Sequence, residues 1–476
     1  MKKTIVALLA LASTLSPAWA KDIFVAPTGD DSAAGTIEAP YRTIKKGIQQ
    51  AKAGDNIYLR EGTYKPAQSE TMRTGISNVY TAVYDLTANG TAQKPITLSG
   101  YEDEKVKIDL SAVKPDTRVI GFHMKGNYWH LKKFDIVGIQ VTQTGHTQSI
   151  NVALFGGSHC IIEQVNMHDG MGIGVYATHG SDNLVLNCDA YNNYDPVSEN
   201  GKGGNCDGFG FHLNKATYTG NVVRGCRAWR NSDDGYDLIN NWAPVTIENC
   251  WAWENGYDAN RVSRGDGTGF KSGGYGMSDT PKVPPTIPRN TVRNCLAWSN
   301  KQAGFYSNHH LGGLDFINNT AIRNKRNFNM VCRKSASEAV DVPGYGHTLA
   351  NNVSHNPTQS HYENLDQAQC TVTNNSFLPK ALSLTDGSFE SVDASQLKRP
   401  RQADGSLPEI TFMRLKESTD AYKAGMGYQF SGATNAITSP TVDEDGDAPF
   451  YNLQGVRVDS PTKGIYIRGG KKILLR

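Results

Sequence analysis

The sequence predicts an all-β chain wound as a parallel β-helix, and three observations predict it. A short phrase recurs through the middle of the chain, a second phrase interleaves with it, and glycine is abundant. The first phrase reads Asn187-Cys188-Asp189-Ala190-Tyr191-Asn192-Asn193, then Gly225-Cys226-Arg227-Ala228-Trp229-Arg230-Asn231. It returns as Asn249-Cys250-Trp251-Ala252-Trp253-Glu254-Asn255, Asn294-Cys295-Leu296-Ala297-Trp298-Ser299-Asn300 and Asn318-Asn319-Thr320-Ala321-Ile322-Arg323-Asn324, with fainter copies at 164–170 and 351–356. The cysteine steps are 38, 24 and 45 residues, and the step on to Asn319 is 24. A period near two dozen with insertions is what stacked coils give, because loops can lengthen on one flank without disturbing the stack.

The second phrase is Asp207-Gly208-Phe209-Gly210, Asp234-Gly235-Tyr236-Asp237, Thr268-Gly269-Phe270-Lys271 and Ala303-Gly304-Phe305-Tyr306. Its Phe/Tyr position is expected to point inward and stack coil on coil, with the next residue pointing out, since strand side chains alternate. Each coil therefore holds at least two strands, and like positions in adjacent coils lie ~4.8 Å apart. Leucine-rich repeats fit poorly because no regular leucine spacing appears, and the glycine-aspartate nonapeptide of calcium-binding β-rolls is absent. The 48 glycines among 476 residues stand above the ~7% average and favour turns over long helices.

The remaining elements follow in chain order. Lys2 and Lys3 precede an apolar run from Ile5 to Ala12, and Ala18-Trp19-Ala20 supplies small residues for cleavage, so residues 1–20 read as a signal peptide cut after Ala20. The run is too short to span ~30 Å of hydrocarbon, and no later segment is long and apolar enough. The chain is expected to be exported, whether secreted, periplasmic or attached to the cell surface. Ile23-Phe24-Val25 and Ile57-Tyr58-Leu59 read as strands, with a turn at Glu61-Gly62. Between them Thr43 opens a short helix with Ile44, Ile48 and Ala51 on one face, ended by Gly54, suited to capping one end of the core. Gly54-Asp55-Asn56-Ile57-Tyr58 and Gly62-Thr63-Tyr64 resemble the opening of secreted right-handed parallel β-helix proteins.

Leu397 to Leu415 resembles a segment that packs along the side of pectin-degrading β-helices. The domain expected to carry the chemistry runs over 21–427, followed by a linker over 428–447 and a small C-terminal β tail over 448–476. That tail, with strands at Gly464-Ile465-Tyr466-Ile467 and Lys471–Leu475, resembles the ending of many exported Bacteroidetes proteins and implies sorting or attachment. The acidic run Asp443-Glu444-Asp445-Gly446-Asp447 lacks the glycine and glutamate spacing of an EF-hand and reads as a solvated linker.

Charge narrows the partners. The 48 basic and 46 acidic side chains give +2, and without Lys2 and Lys3 the balance is zero, so nucleic acid or anionic lipid is not expected to be held through bulk charge. Charged residues at 20% and hydrophobic residues at 38% exclude a disordered tail and a membrane protein. Of eight cysteines, Cys188, Cys226, Cys250 and Cys295 occupy one repeat position and are expected to pack as a ladder of reduced thiols. No CxxC pair or zinc spacing occurs. A monomer is expected.

The chemistry emerges when the interleaved phrases are overlaid. Asp207 and Asp234 fall at one repeat position in neighbouring coils, Asp233 precedes Asp234, and Asp237 is the outward residue after Tyr236. Any one of these aspartates alone would read as a turn cap. Four that converge by register repel one another unless protonated or neutralised, and a hard divalent cation, calcium, suits a site of oxygens only. Lys271 is the outward residue of the next phrase and interrupts a glycine-rich stretch, Gly267 to Gly274, where little else carries chemistry. An exposed lysine is ordinarily just solvated, but this one is expected one coil from Asp237 on the same face. A dication lowers the pKa of a neighbouring ammonium while carboxylates raise it. With calcium and an acidic sugar's carboxylate in place, neutral amine becomes available as a base, which predicts an alkaline optimum. Tyr306, one coil further, and His309 and His310 are candidates to line the groove and touch substrate, although aromatic stacking or loop packing explains them about as well. Trp229, Trp251, Trp253 and Trp298 offer sugar-stacking faces, but their repeat position favours structural packing.

Asp207 in Cys-Asp-Gly-Phe-Gly, Asp233, Asp234 and Asp237 in Asn-Ser-Asp-Asp-Gly-Tyr-Asp, and Lys271 in Gly-Thr-Gly-Phe-Lys resemble the site of family 9 polysaccharide lyases. The resemblance covers the chain from Lys21 to about Gly427. It implies a right-handed parallel β-helix in which the four aspartates hold calcium and Lys271 is the Brønsted base. The activity implied is β-elimination of a galacturonate-containing pectin backbone to unsaturated uronides, with pectate favoured and rhamnogalacturonan I the alternative. Two rivals remain. A hydrolase of the same fold needs carboxyls ~6.5–9.5 Å apart and no metal, and gives Lys271 no role. A glycan-binding surface protein needs no base at all.

Overall fold

A computed structural model of the protein describes residues 20–278 and 282–430 and the backbone of four short strands between 450 and 475. The expected signal peptide, Ala20 apart, and the acidic run Asp443–Asp447 lie outside the described residues. Residues 1–429 and 430–476 separate into two units.

The larger unit is a stack of parallel coils. One coil contains the strands Leu184–Leu186, Asp189–Tyr191 and Phe209–Phe211; the next contains Asn221–Arg224, Arg227–Trp229 and Tyr236–Asp237. The following coil repeats the plan with Val245–Glu248, Trp251–Trp253 and Phe270–Lys271. Three strands per coil, one more than the minimum read from the two phrases, build an eleven-stranded sheet and a twenty-stranded sheet. The additional strand lies just before each cysteine, separated from the first phrase by a tight corner. That corner needs a positive φ: Asn187, Asn249, Asn294 and Asn318 lie near +50° and Gly225 at +66°. Asparagine tolerates this region better than most residues, and glycine enters it without strain. At Gly225 a Cβ would also meet Asn187 Oδ1 at 2.2 Å.

The core is laid down in columns. Phe209, Tyr236, Phe270, Phe305 and Phe328 stack in sequence with centroids 4.6–5.1 Å apart and planes within 17°. Their register follows the parallel pairs Phe209↔Tyr236, Tyr236↔Phe270 and Phe270↔Phe305. Cys188, Cys226, Cys250 and Cys295 are fully buried and unbridged, as expected of small apolar residues. A column the sequence reading did not assign is made by Asn193, Asn231, Asn255, Asn300 and Asn324. Each of the first four donates through Nδ2 to the next Oδ1 at 3.0–3.3 Å, Asn324 donates to Asn327 Oδ1 at 3.0 Å, and all five donate to a backbone carbonyl at 3.0–3.1 Å. Every buried amide in it is thereby paired.

The N-terminal helix Ile44–Gln50 has Thr43 as its N-cap, accepting from Lys46 N–H at 3.1 Å, and buries Ile44, Gly47 and Ile48 over the first strands. It ends before Gly54, because Ala51 is already extended. The segment after Leu397 packs on the flank as expected. Asp189, buried there, is gripped by Arg227 at 2.5 Å and Arg401 at 2.5 Å, while Arg227 also donates to the Leu397 and Arg399 carbonyls. Trp229 and Trp253 stack 4.6 Å apart beneath Tyr191, and Trp298 meets the edge of Phe412, so these tryptophans are packing residues. The smaller unit holds an antiparallel sheet of Phe450–Tyr451, Arg457–Val458, Gly464–Arg468 and Lys471–Leu475. Among the described residues no helix is long and apolar enough to cross a membrane.

Candidate active site: a buried acidic triad beside a lysine

The eleven-stranded sheet sets the site. Because its Phe/Tyr column faces inward, the next residue of each strand faces out. Pairing aligns Tyr176, Gly210, Asp237, Lys271, Tyr306, Asn329 and Glu363 in one file across the sheet. Gly210 leaves the place beside Asp237 bare, where a Cβ would press on the Tyr176 ring at 2.9 Å.

Two residues before the aromatic column, Asp207 and Asp234 use one oxygen each to tie coils together. Asp207 Oδ1 accepts the Asp234 N–H at 3.1 Å, and Asp234 Oδ1 accepts the Thr268 N–H at 2.6 Å. Asp207, Asp234 and Asp237 offer oxygens within 4.8 Å of one another, and all three are buried. Asp233 is beside them but outside that set; its Oδ1 accepts the Asp266 N–H at 2.8 Å. Lys271 Nζ lies 3.1 Å from Asp234 Oδ2 and 3.1 Å from Asp237 Oδ2. Asp234 Oδ2 is buried and accepts no hydrogen bond, so its contact with the ammonium is an unaligned ion pair.

Electrostatics show how far the cluster is from neutrality. Burial first, then the charges of Asp233, Asp237 and Asp234, push Asp207 well above the usual carboxylate range. Burial and Asp234 do the same to Asp233. Asp234 rises to about 6 through burial, against the pull of Lys271. For Lys271 burial alone would favour the neutral amine, but Asp237, Asp234, Asp233 and Asp207 together hold its ammonium well above the usual lysine range. One ammonium cannot balance the carboxylates around it. A purely oxygen donor set with excess negative charge and an oxygen lacking a hydrogen bond fits a hard divalent cation.

Tyr306 stands one rung from Lys271 in the outward file, its Oη 2.9 Å from His309 Nε2, and Asp341 Oδ1 lies 2.7 Å from His309 Nδ1. His310 departs from the expectation that it lines the groove. It is buried, its Nδ1 accepts the Gly274 N–H at 3.1 Å, and its Nε2 faces the Pro288 carbonyl at 3.1 Å. Both nitrogens are spent inside the wall, and burial brings its pKa down to about 4. The sequence reading passed over His212, three residues beyond Phe209. Its Nδ1 is 3.0 Å from Tyr176 Oη and its Nε2 is 3.7 Å from Asp237 Oδ2. His212 also lines a cavity of about 780 Å³ with Trp242, Tyr275 and His179, so an open space adjoins the acidic cluster.

Known proteins resemble this chain in sequence and, for two solved structures, in fold as well. Residues 23–356 match the family model described as a Pel9A-like, right handed beta helix region. A pectate lyase L of Dickeya chrysanthemi is 31% identical over 409 residues, covering 84% of this chain and 85% of that protein. A pectate lyase of Emericella nidulans is 30% identical over 83% of this chain and 92% of its own length. Among solved structures, a rhamnogalacturonan lyase superposes with TM-score 0.83 at 42% identity, over 86% of this chain and 99% of that one. The pectate lyase Pel9A superposes with TM-score 0.65 at 29% identity, over 84% and 90%.

Proposed function

The chain belongs to the Pel9A-like right-handed β-helix family and is a family 9 polysaccharide lyase, and on that premise we propose that it cleaves a galacturonate-containing pectin backbone by calcium-assisted β-elimination. The observation that carries this reading is the lysine nitrogen held 3.1 Å from two carboxylates of a buried acidic triad. Asp207, Asp234 and Asp237, with Asp233 beside them, would hold the calcium ion. When bound, calcium supplies positive charge to offset the buried carboxylates and Lewis acidity toward a uronate carboxylate.

The chain's own groups do the rest. Lys271, relieved of its pairing with Asp234 and Asp237, takes the C5 proton as a neutral amine. The released electron pair forms the C4–C5 double bond, and the glycosidic oxygen leaves C4. The product is an unsaturated uronide. The outward file of Tyr176, Asp237, Lys271 and Tyr306 and the cavity at His212 and Trp242 give an acidic glycan a surface to follow. A hydrolytic acid–base pair would leave Lys271 idle.

Pectate is the polymer favoured by the overall family resemblance, which includes the pectate lyases of Dickeya chrysanthemi and Emericella nidulans. A rhamnogalacturonan I backbone is a second reading, favoured by a specific observation: of the two lyase structures, the rhamnogalacturonan enzyme is the more similar. Both present a galacturonate carboxylate. The deciding experiment follows ultraviolet absorbance of unsaturated product on each polymer, in calcium and in excess chelator. Product is expected only with calcium, and faster on the true polymer. Cleavage that persists in chelator without unsaturated product would replace elimination by hydrolysis. We further propose that the chain is exported with cleavage after Ala20, acts as a monomer through residues 21–427, and uses 448–476 for sorting or attachment.

A further inference from the structure

Elimination leaves one proton unassigned, the one that must reach the departing glycosidic oxygen. We propose that Tyr306 is the general acid: its hydroxyl protonates the leaving oxygen while Lys271 takes the C5 proton, with His309 and Asp341 positioning it. This rests on the elimination reading above. Tyr306 and Lys271 are direct partners in register, so their side chains rise from adjacent rungs of one outward file. C5 and the oxygen on C4 are separated by a single carbon, and the C5–H and C4–O bonds of galacturonate are trans. The ring must therefore stand edge-on with Lys271 on one side and Tyr306, from the next rung, on the other.

The surroundings of the phenol differ from those of a packing tyrosine. Its Oη is held 2.9 Å from His309 Nε2, and the other nitrogen of that ring lies 2.7 Å from Asp341 Oδ1 in an ion contact not aligned as a hydrogen bond. Asp341 is largely exposed, so the Tyr306–His309–Asp341 chain runs from the groove toward solvent. The charged and titratable groups facing Tyr306 are Lys271, His309, Asp341, Asp234 and Asp266. Burial first, with the three carboxylates opposing Lys271, pushes the phenol up to about 12. A group that keeps its proton at alkaline pH is what the reaction needs, because the lysine must be neutral under the same conditions.

The protons balance. The C5–H pair becomes the C4–C5 π bond, and the C4–O pair departs with the leaving oxygen. The phenol's proton converts that oxygen to a hydroxyl on the released chain. The lysine ammonium returns its proton to solvent, and the phenolate regains one.

The test compares wild type, Tyr306→Phe and His309→Gln for kcat, KM and pH profile, with calcium affinity and thermal midpoint measured on each. For Tyr306→Phe the expected result is a fall in kcat of about 10²–10³-fold, the usual yield of a positioned acid, with KM and calcium affinity near wild type. Wild-type activity should fall again at high pH as the phenol ionises, and this limb should vanish in Tyr306→Phe. His309→Gln should lower kcat about tenfold and move that limb. A Tyr306→Phe enzyme that keeps kcat within threefold, or loses only KM, overturns the proposal and leaves water as the donor. If wild type makes no unsaturated product, the elimination reading itself falls and takes the proposal with it.

Discussion

At the scale of single residues, the site depends on one nitrogen and three buried carboxylates. Replacing Lys271 by alanine should abolish nearly all turnover, about 10³-fold or more if it is the only base, while calcium binding and fold persist. Product absorbance and calorimetric titration with calcium measure the two halves separately; a binding protein would be indifferent to the change. Asp234→Asn should weaken calcium by at least about tenfold, since a coordinating charge is lost from a site whose affinity follows its charge count. A calcium isotherm reads this directly. The legible part of the site was its register: Asp207, Asp234, Asp237 and Lys271 meet as the phrase alignment requires. Asp233 lies beside them, its Oδ1 accepting the Asp266 N–H as the Oδ1 atoms of Asp207 and Asp234 accept amides of the following coils. By contrast, a pair of adjacent histidines gives no clue which one faces inward, and His310 does.

At the scale of strands and loops, the aromatic and cysteine columns could be read because one residue type repeats at one place. The third strand of each coil could not, since Leu184–Leu186, Asn221–Arg224 and Thr291–Arg293 each offer one inward valine in an alternation too short to stand out. The asparagine column was in view at the end of each phrase, but its function appears only when neighbouring coils bring the amides within hydrogen-bond reach. Strand Ile161–His168 carries a pH-sensitive contact of its own. Glu163 meets His130 at 2.8 Å and Lys132 at 3.0 Å. Burial alone would raise its pKa, but these partners outweigh it and bring the value down from 4.5 to about 2. A depressed carboxylate stabilises the fold fully above its unfolded pKa and loses that contribution as pH falls through the folded one. Urea unfolding of wild type should therefore lose stability between about pH 4.5 and about 2, and Glu163→Gln should flatten that slope.

At the scale of the whole molecule, stability in a stack of coils is a sum over neighbours. The helix Ile44–Gln50 covers one end, and the segment from Leu397 clamps the flank through Arg401 and Asp189. Removing residues 431–476 should leave the rate of elimination and the thermal midpoint unchanged, because the larger unit contains the triad, the lysine and the entire stack. Calorimetry and the absorbance assay on the shortened protein check both.

The backbone amides caught by Asp207 and Asp234 belong to the following coils, 27 and 34 residues further along the chain. The proposed reactive centre is therefore woven from three successive windings, and no single winding contains it. Excising one winding would preserve the outer contour of the rod yet bring unrelated neighbours together. Recombination between relatives thus has natural seams on either side of this trio, and a crossover within it would separate Lys271 from the carboxylates it pairs with.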